Sequence, residues 1–365
     1  MNANVQTVPA AKTADRFEML DLLRGIAALA VLIYHSDNFL GIQLLPNAYL
    51  AVDLFFMLSG FVIAHNYDPK IGSGMTLKEF MLHRGIRLFP CYWLALAIGV
   101  TLGSARLIRD QGYADGLGLT IAALCNLIML PSLAPLYGEW TLFPFNGASW
   151  SLMYELVVNI AYWLLYRLLN AFNLIAILVS SAVALVVIAV HVGSVDIGMR
   201  AGEELLAAPR VIFSFFAGLA LRRYAHDYFR IRLGNIGNVV AVLVLIATFR
   251  FSDVFGSRVV GECVAILATF PLLLLNVSNT VPGPRMAQIC RLAGNTSYPV
   301  YILQTPLMLF VAAVPQLLFH EKGMHWGPMF GVVEIAFIVV VAWWVDAYVE
   351  LPARRSLKRY LLPRK

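Results

Sequence analysis

Apolar stretches recur along almost the whole chain, at about 18–37, 49–66, 87–104, 117–131, 149–168, 172–192, 206–221, 235–250, 259–277, 296–318 and 328–349. In lipid every backbone polar group must be satisfied internally, so only helices and closed barrels can span. Stretches of this length, apolar throughout rather than at alternate positions, predict helices. Composition agrees: 60% of the 365 residues are hydrophobic and 13% charged, against about 25% charged in a soluble domain. The expected fold is all-α, a polytopic membrane protein of about ten transmembrane helices around a central pore-like site.

Charge sets the expected orientation. Lys12 and Arg16 precede the first stretch, and Lys70, Lys78, Arg84 and Arg87 lie between or at the edges of the second and third. Arg222, Arg223, Arg230 and Arg232 follow the seventh, Arg285 and Arg291 precede the tenth, and Arg354, Arg355, Lys358, Arg359, Arg364 and Lys365 close the chain. Short cytoplasmic segments carry the excess of Lys and Arg, so all of these are expected inside, with both termini cytoplasmic. An odd number of crossings cannot satisfy that. The stretch at 117–131, ended by Pro131 and Pro135, is the one expected not to span. We expect a disordered polar tail over residues 1–16, a transmembrane domain over 17–354 and a basic cytoplasmic tail over 355–365. The surplus of six positive charges thus marks topology and not nucleic-acid binding. The first apolar stretch contains Arg24 and lacks a small-residue cleavage site, so it should remain as an anchor. Cys91, Cys125, Cys263 and Cys290 are widely spaced and suit isolated thiols, with neither disulfide nor metal chemistry implied.

Charges inside apolar stretches point to function, because each costs ~3 kcal/mol on insertion scales. Arg24 and His35 lie in the first stretch, eleven residues apart. At ~100° per residue they share one face, roughly 16 Å apart along the helix. Asp53 stands in Asp-Leu-Phe-Phe-Met-Leu-Ser59-Gly60-Phe61, where Ser59-Gly60 allows close approach of a helix or a ligand. Arg84 and Arg87 share a face if their segment is helical and suit phosphate by bidentate geometry; anchoring to lipid headgroups is the plainer reading. Ser149-Trp150-Ser151-Leu-Met-Tyr-Glu155 opens another stretch at a depth similar to His35, so a His35–Glu155 pair is physically feasible. Tyr298, Tyr301 and Gln304 recur on one face of the tenth stretch, and Glu350 with Arg354 forms an internal ion pair at the end of the last.

Six of these elements, in order and covering residues 18–354, resemble the acyltransferase 3 family, multi-span membrane enzymes that typically acylate carbohydrates. They are Arg24-x10-His35, the Asp53 block, Arg84-x-x-Arg87-Leu-x-Pro, Trp150-Ser-Leu-x-x-Glu155, Gly294-x-x-Ser297-Tyr298 and Glu350-x-Pro-x-Arg354. Gln304 departs from the pattern, standing where members often carry His; a titrating role is lost there while hydrogen bonding survives. The resemblance implies His35 as the essential residue, a cytoplasmic acyl-CoA donor (most often acetyl-CoA) as co-substrate, no metal, and a carbohydrate or glycolipid acceptor. A bacterial inner membrane is the implied location, with homo-oligomerisation left open.

On that footing CoA phosphates would rest on Arg84 and Arg87 while the pantetheine arm passes Arg24. Ser59, Trp150, Ser151 and Tyr298 would complete the donor site. His35 would deprotonate the acceptor hydroxyl, or carry the acyl group itself, with Glu155 or Asp53 orienting it. Ser151 as an acylated nucleophile is a further alternative. The competing class is a proton-coupled transporter or flippase of a sugar-containing substrate, which also buries Arg, His, Asp and Glu. A glycosyltransferase would want an acidic pair in an early outer loop, and residues 39–48 contain none.

Overall fold

A computed structural model describes residues 16–109, 116–133, 135–136, 140–228, 234–251, 256–319 and 327–362. Of the tail expected over residues 1–16, all but Arg16 lies outside the described residues, as do the basic residues Arg230, Arg232, Arg364 and Lys365. Helices dominate: α1 (Glu18–His35), α2 (Asp37–Leu40), α3 (Ala51–Gly72), α4 (Leu77–Arg109), α5 (Gly116–Leu127), α6 (Ser149–Leu165) and α7 (Ala171–Val192). There follow α8 (Glu204–Ala220), α9 (Gly234–Arg250), α10 (Arg258–Val264), α11 (Phe270–Ser278), α12 (Pro284–Phe319), α13 (Pro328–Val345) and α14 (Leu351–Leu361). Thr141 and Arg200 form an isolated antiparallel β-bridge.

Among the described residues, seven helical stretches are long and apolar enough to cross a membrane. Helix α1 is as long but carries Glu18, Asp21 and Arg24, and α6 and α9 have 17 residues each. The chain is therefore a polytopic, all-helical membrane protein. The stretch expected not to span contains only the twelve residues of α5, whose end rests on the middle of α4: Tyr92 Oη donates to the carbonyl of Asn126 and Trp93 Nε1 to that of Leu127.

Several helices outrun their apolar stretches. Helix α4 begins ten residues before hydropathy rises, so Arg84 and Arg87 do lie on one helix. Helix α10 joins α11, and α13 joins α14, through π-helical turns at Ala265–Thr269 and Asp346–Glu350; another, Leu221–Ala225, extends α8. Each such turn inserts a residue into the helical ladder, a feature common near functional sites.

The bundle is drawn tight where α3 crosses α8. An ideal Cβ on Gly60 would lie 1.9 Å from the Phe215 carbonyl oxygen, and one on Gly218 would lie 1.9 Å from that of Met57. The two glycines thus let the backbones touch, the small-residue packing that membranes favour. Gly60→Ala should force the helices apart and lower the melting temperature of detergent-purified protein by several degrees; an unchanged melt would mean the crossing relaxes freely.

Candidate functional site

Two ends of the bundle can be distinguished. One carries Arg16, Lys70, Arg87, Arg354 and Lys358, and a cavity of about 520 Å³ reaches inward from it between α1, α3, α4, α6, α12 and α14. Its lining carries seven Lys and Arg side chains against two carboxylates, Asp21 and Glu155. The inner end is formed by Val52, Phe55, Ser151 and Tyr301. Tyr301 Oη lies 2.8 Å from Ser151 Oγ, and its ring meets Phe55 edge-on at 5.3 Å.

Arg24 lines this cavity as a latch between helices. Its Nε donates to Ser297 Oγ at 2.9 Å and its Nη2 to Asp21 Oδ1 and the Gly294 carbonyl, each at 2.8 Å. A Cβ on Gly294 would lie 2.5 Å from Asp21 Cβ, so the Gly294-x-x-Ser297 spacing is what admits the guanidinium. Arg16 also bonds Asp21, and Asn295, which ties the segment before α1 into the folded domain.

Arg84 and Arg87, paired in sequence, have different fates. Arg84 is buried and ion-paired with Glu155, which also accepts from Ser59 Oγ at 3.0 Å. Arg87 forms no ion pair among the described residues; its carbonyl holds Arg354, whose Nη2 donates to it at 2.7 Å. Arg354 in turn pairs with Glu350, the expected internal pair of that helix end. Tyr298 Oη donates to the Leu88 carbonyl at 2.6 Å. So Arg24, Arg84, Arg87, Ser59, Ser151, Tyr298 and Glu155 are brought together around one cavity.

Three expected members are not among its lining. Trp150 lies against Arg210, 5.8 Å from ring centre to guanidinium carbon. Asp53 is fully buried and held bidentately by Arg210 through Nε and Nη2. His35 sits at the far end of α1. Its pairing with Glu155 or Asp53 is not formed, because Arg84 and Arg210 take those carboxylates. Nor is the face shared by Arg24 and His35 an open passage here: Ala28 and Val31 between them are buried in packing. Gln304 is likewise buried, with no partner for either amide atom among the described residues, so the surviving hydrogen bond expected there is not made.

What orients His35 is the backbone. Nδ1 lies 2.9 Å from the Val31 carbonyl oxygen. A carbonyl only accepts, so Nδ1 carries the proton and Nε2 the lone pair, the tautomer that a general base needs. The ring is exposed, beside Tyr34, with ring centres 5.2 Å apart.

Sequence reading passed over the far end's buried charges. Arg210 is 1% exposed, and its Nη1 donates to the carbonyls of Val195 and Ile197. Glu262 accepts from Tyr49 Oη, from Ser194 Oγ at 3.0 Å, from the Val195 amide at 2.7 Å and from Arg258 Nε at 2.8 Å. Both are charges inside apolar stretches, the same signal that marks Asp53.

Comparison with known proteins decides the family. The description "Acyltransferase domain" of the acyltransferase 3 family fits residues 17–347. The chain belongs to this family. As a family member with this fold it is a membrane acyltransferase. It is 41% identical over 157 residues to "Protein 2 in picA locus" of Rhizobium radiobacter, a match covering 40% of this chain and 81% of that protein. Proteins of Staphylococcus aureus provisionally named O-acetyltransferases are 37% identical over 93 residues, 24% of this chain and 14% of theirs. "Exopolysaccharide production protein ExoZ" of Rhizobium meliloti is 32% identical over 107 residues, 29% of this chain and 30% of its own length. No solved structure matches the chain.

Proposed function

We propose that this acyltransferase moves an acyl group, most simply acetyl, from cytoplasmic acyl-CoA to a hydroxyl of a carbohydrate or glycolipid in a bacterial inner membrane. The observation that carries this reading is the cation-lined cavity of about 520 Å³. CoA brings several phosphate charges, which favour Arg and Lys at a surface mouth, and a slender arm that fits a narrowing interior. Arg16, Lys70, Arg87, Arg354 and Lys358 supply the mouth under the positive-inside orientation. Arg84 is spent on Glu155, so phosphate binding falls mainly to Arg87 and its neighbours.

In this reading His35 Nε2 takes the proton of the acceptor hydroxyl as its oxygen attacks the thioester carbon. The C–S bond then breaks, and the departing thiolate is protonated on the donor side. For the thioester to meet His35, the Tyr301–Ser151 and Tyr301–Phe55 contacts must part, so the inner end of the cavity acts as the gate. The names of the Staphylococcus aureus and Rhizobium meliloti relatives, with O-acetyltransferase and exopolysaccharide in them, agree with this chemistry.

Purified protein given labelled acetyl-CoA and a bacterial membrane-glycan extract should form labelled ester and release free CoA. Ester formation in detergent, without vesicles, separates an enzyme from a carrier; its absence with every glycan fraction would reject the reading. Arg87→Ala should raise the KM for acyl-CoA about tenfold or more while sparing kcat, because it removes binding remote from the reacting carbon. An unchanged KM would return Arg87 to membrane anchoring.

A further inference from the structure

One face of α3 lines the donor cavity along its whole depth. It runs from Lys70 at the mouth past Asn66, Ile63 and Ser59 to Phe55 and Val52. The steps are of three or four residues, so these side chains form one stripe along the helix. At ~1.5 Å per residue the stripe is roughly 27 Å long. Its polarity falls with depth. Lys70 and Asn66 stand in its outer part, and Ser59 is its last polar side chain, bonded to the Glu155 that Arg84 also holds.

Beyond Ser59 little depth remains: roughly 6 Å to Phe55 and 10 Å to Val52 along the helix. There the Phe55 ring meets that of Tyr301 edge-on, with centres 5.3 Å apart. Tyr301 is buried, and its hydroxyl is tethered. Ser151 Oγ gives its proton to the Ala148 carbonyl at 3.0 Å, so Tyr301 Oη is the donor in the 2.8 Å bond to Ser151. Two aromatic rings are thereby fixed across the inner end of the cavity. The hydroxyls beside them are spent on each other and on the backbone, which leaves an apolar end to a polar passage.

We propose that the Phe55–Tyr301 ring pair sets the length of the acyl group, admitting short chains such as acetyl and butyryl and refusing octanoyl. This rests on the reading of the cavity as the acyl-CoA site. The donor's polar arm matches the stripe as far as Ser59, and the acyl carbons fall in the apolar end. A short chain stops before the rings and leaves the gate free to open for transfer. A long one must displace both rings at once, and close-packed side chains resist added methylenes.

The test measures kcat/KM for acetyl-, butyryl- and octanoyl-CoA, with the membrane-glycan extract as acceptor. Wild type should favour acetyl-CoA over octanoyl-CoA by about a hundredfold or more. Phe55→Ala, which opens the inner end, should narrow that preference by about tenfold or more. Tyr301→Phe keeps the ring but frees it from Ser151, and should narrow the preference less. Each result is a ratio between donors on one variant, so a smaller yield of folded protein leaves it unchanged. A wild type that uses octanoyl-CoA as well as acetyl-CoA would overturn the proposal, as would a Phe55→Ala ratio within twofold of wild type. Ester formation by wild type from none of the three donors would instead overturn the reading of the cavity as an acyl-CoA site.

Discussion

Replacing His35 with alanine is expected to cut acyl transfer by about 10²-fold to 10⁴-fold, the usual share of a positioned general base. The fold should survive. The residue is exposed, and among the described residues its hydrogen bond is to the backbone of its own helix and it pairs with no carboxylate. The KM for acyl-CoA should hardly move, because the cations of the donor cavity lie at the other end of α1. Two readouts suffice: CoA release under saturating donor, and a detergent melting curve to verify the fold. Transfer within twofold of wild type would remove His35 from the chemistry and leave Ser151 or another group to be sought.

The second large effect falls on stability. Asp53 and Arg210 are both buried in the bundle and bonded through two pairs of atoms. Breaking such a pair by removing one partner typically costs ~3–5 kcal/mol, because the survivor is left charged and uncompensated. Asp53→Ala should therefore leave little protein folded, and Arg210→Ala less still, since Arg210 also holds the Val195 and Ile197 carbonyls. The double variant Asp53→Leu/Arg210→Met removes both charges and should fold better than either single variant. Fluorescence-detected size exclusion of detergent extracts, heated stepwise, measures all three. Additive losses in the double variant would show that the two residues do not act as a pair.

Much of this architecture can be read directly in the amino-acid sequence, for a simple physical reason. Lipid demands internally bonded helices, so the apolar stretches predict helices, and helices are found at each of them. The lengths were less legible. Hydropathy marks what lies in hydrocarbon, whereas the hydrogen-bonded ladder of α4 runs on to Leu77, and that of α12 starts at Pro284. The donor-side cluster was legible because its members sit in motifs. Their pairing was not. Depth along a helix can be counted, but azimuth between helices cannot, and so Glu155 was matched by depth to His35 when it turns toward Arg84. Arg210 and Glu262 announced themselves as charges in apolar surroundings, but neither belongs to a motif.

The Asp53–Arg210 bond also bears on how the protein is made. Synthesis runs from the amino end, and the two partners are separated by 157 residues. At about 5–20 residues per second, roughly 8–30 s pass between the emergence of the acid and that of the base. Throughout that interval α3 carries a carboxylate that hydrocarbon rejects. Its release from the insertion machinery into lipid should therefore wait for α8, and the two should enter as a neutralised pair.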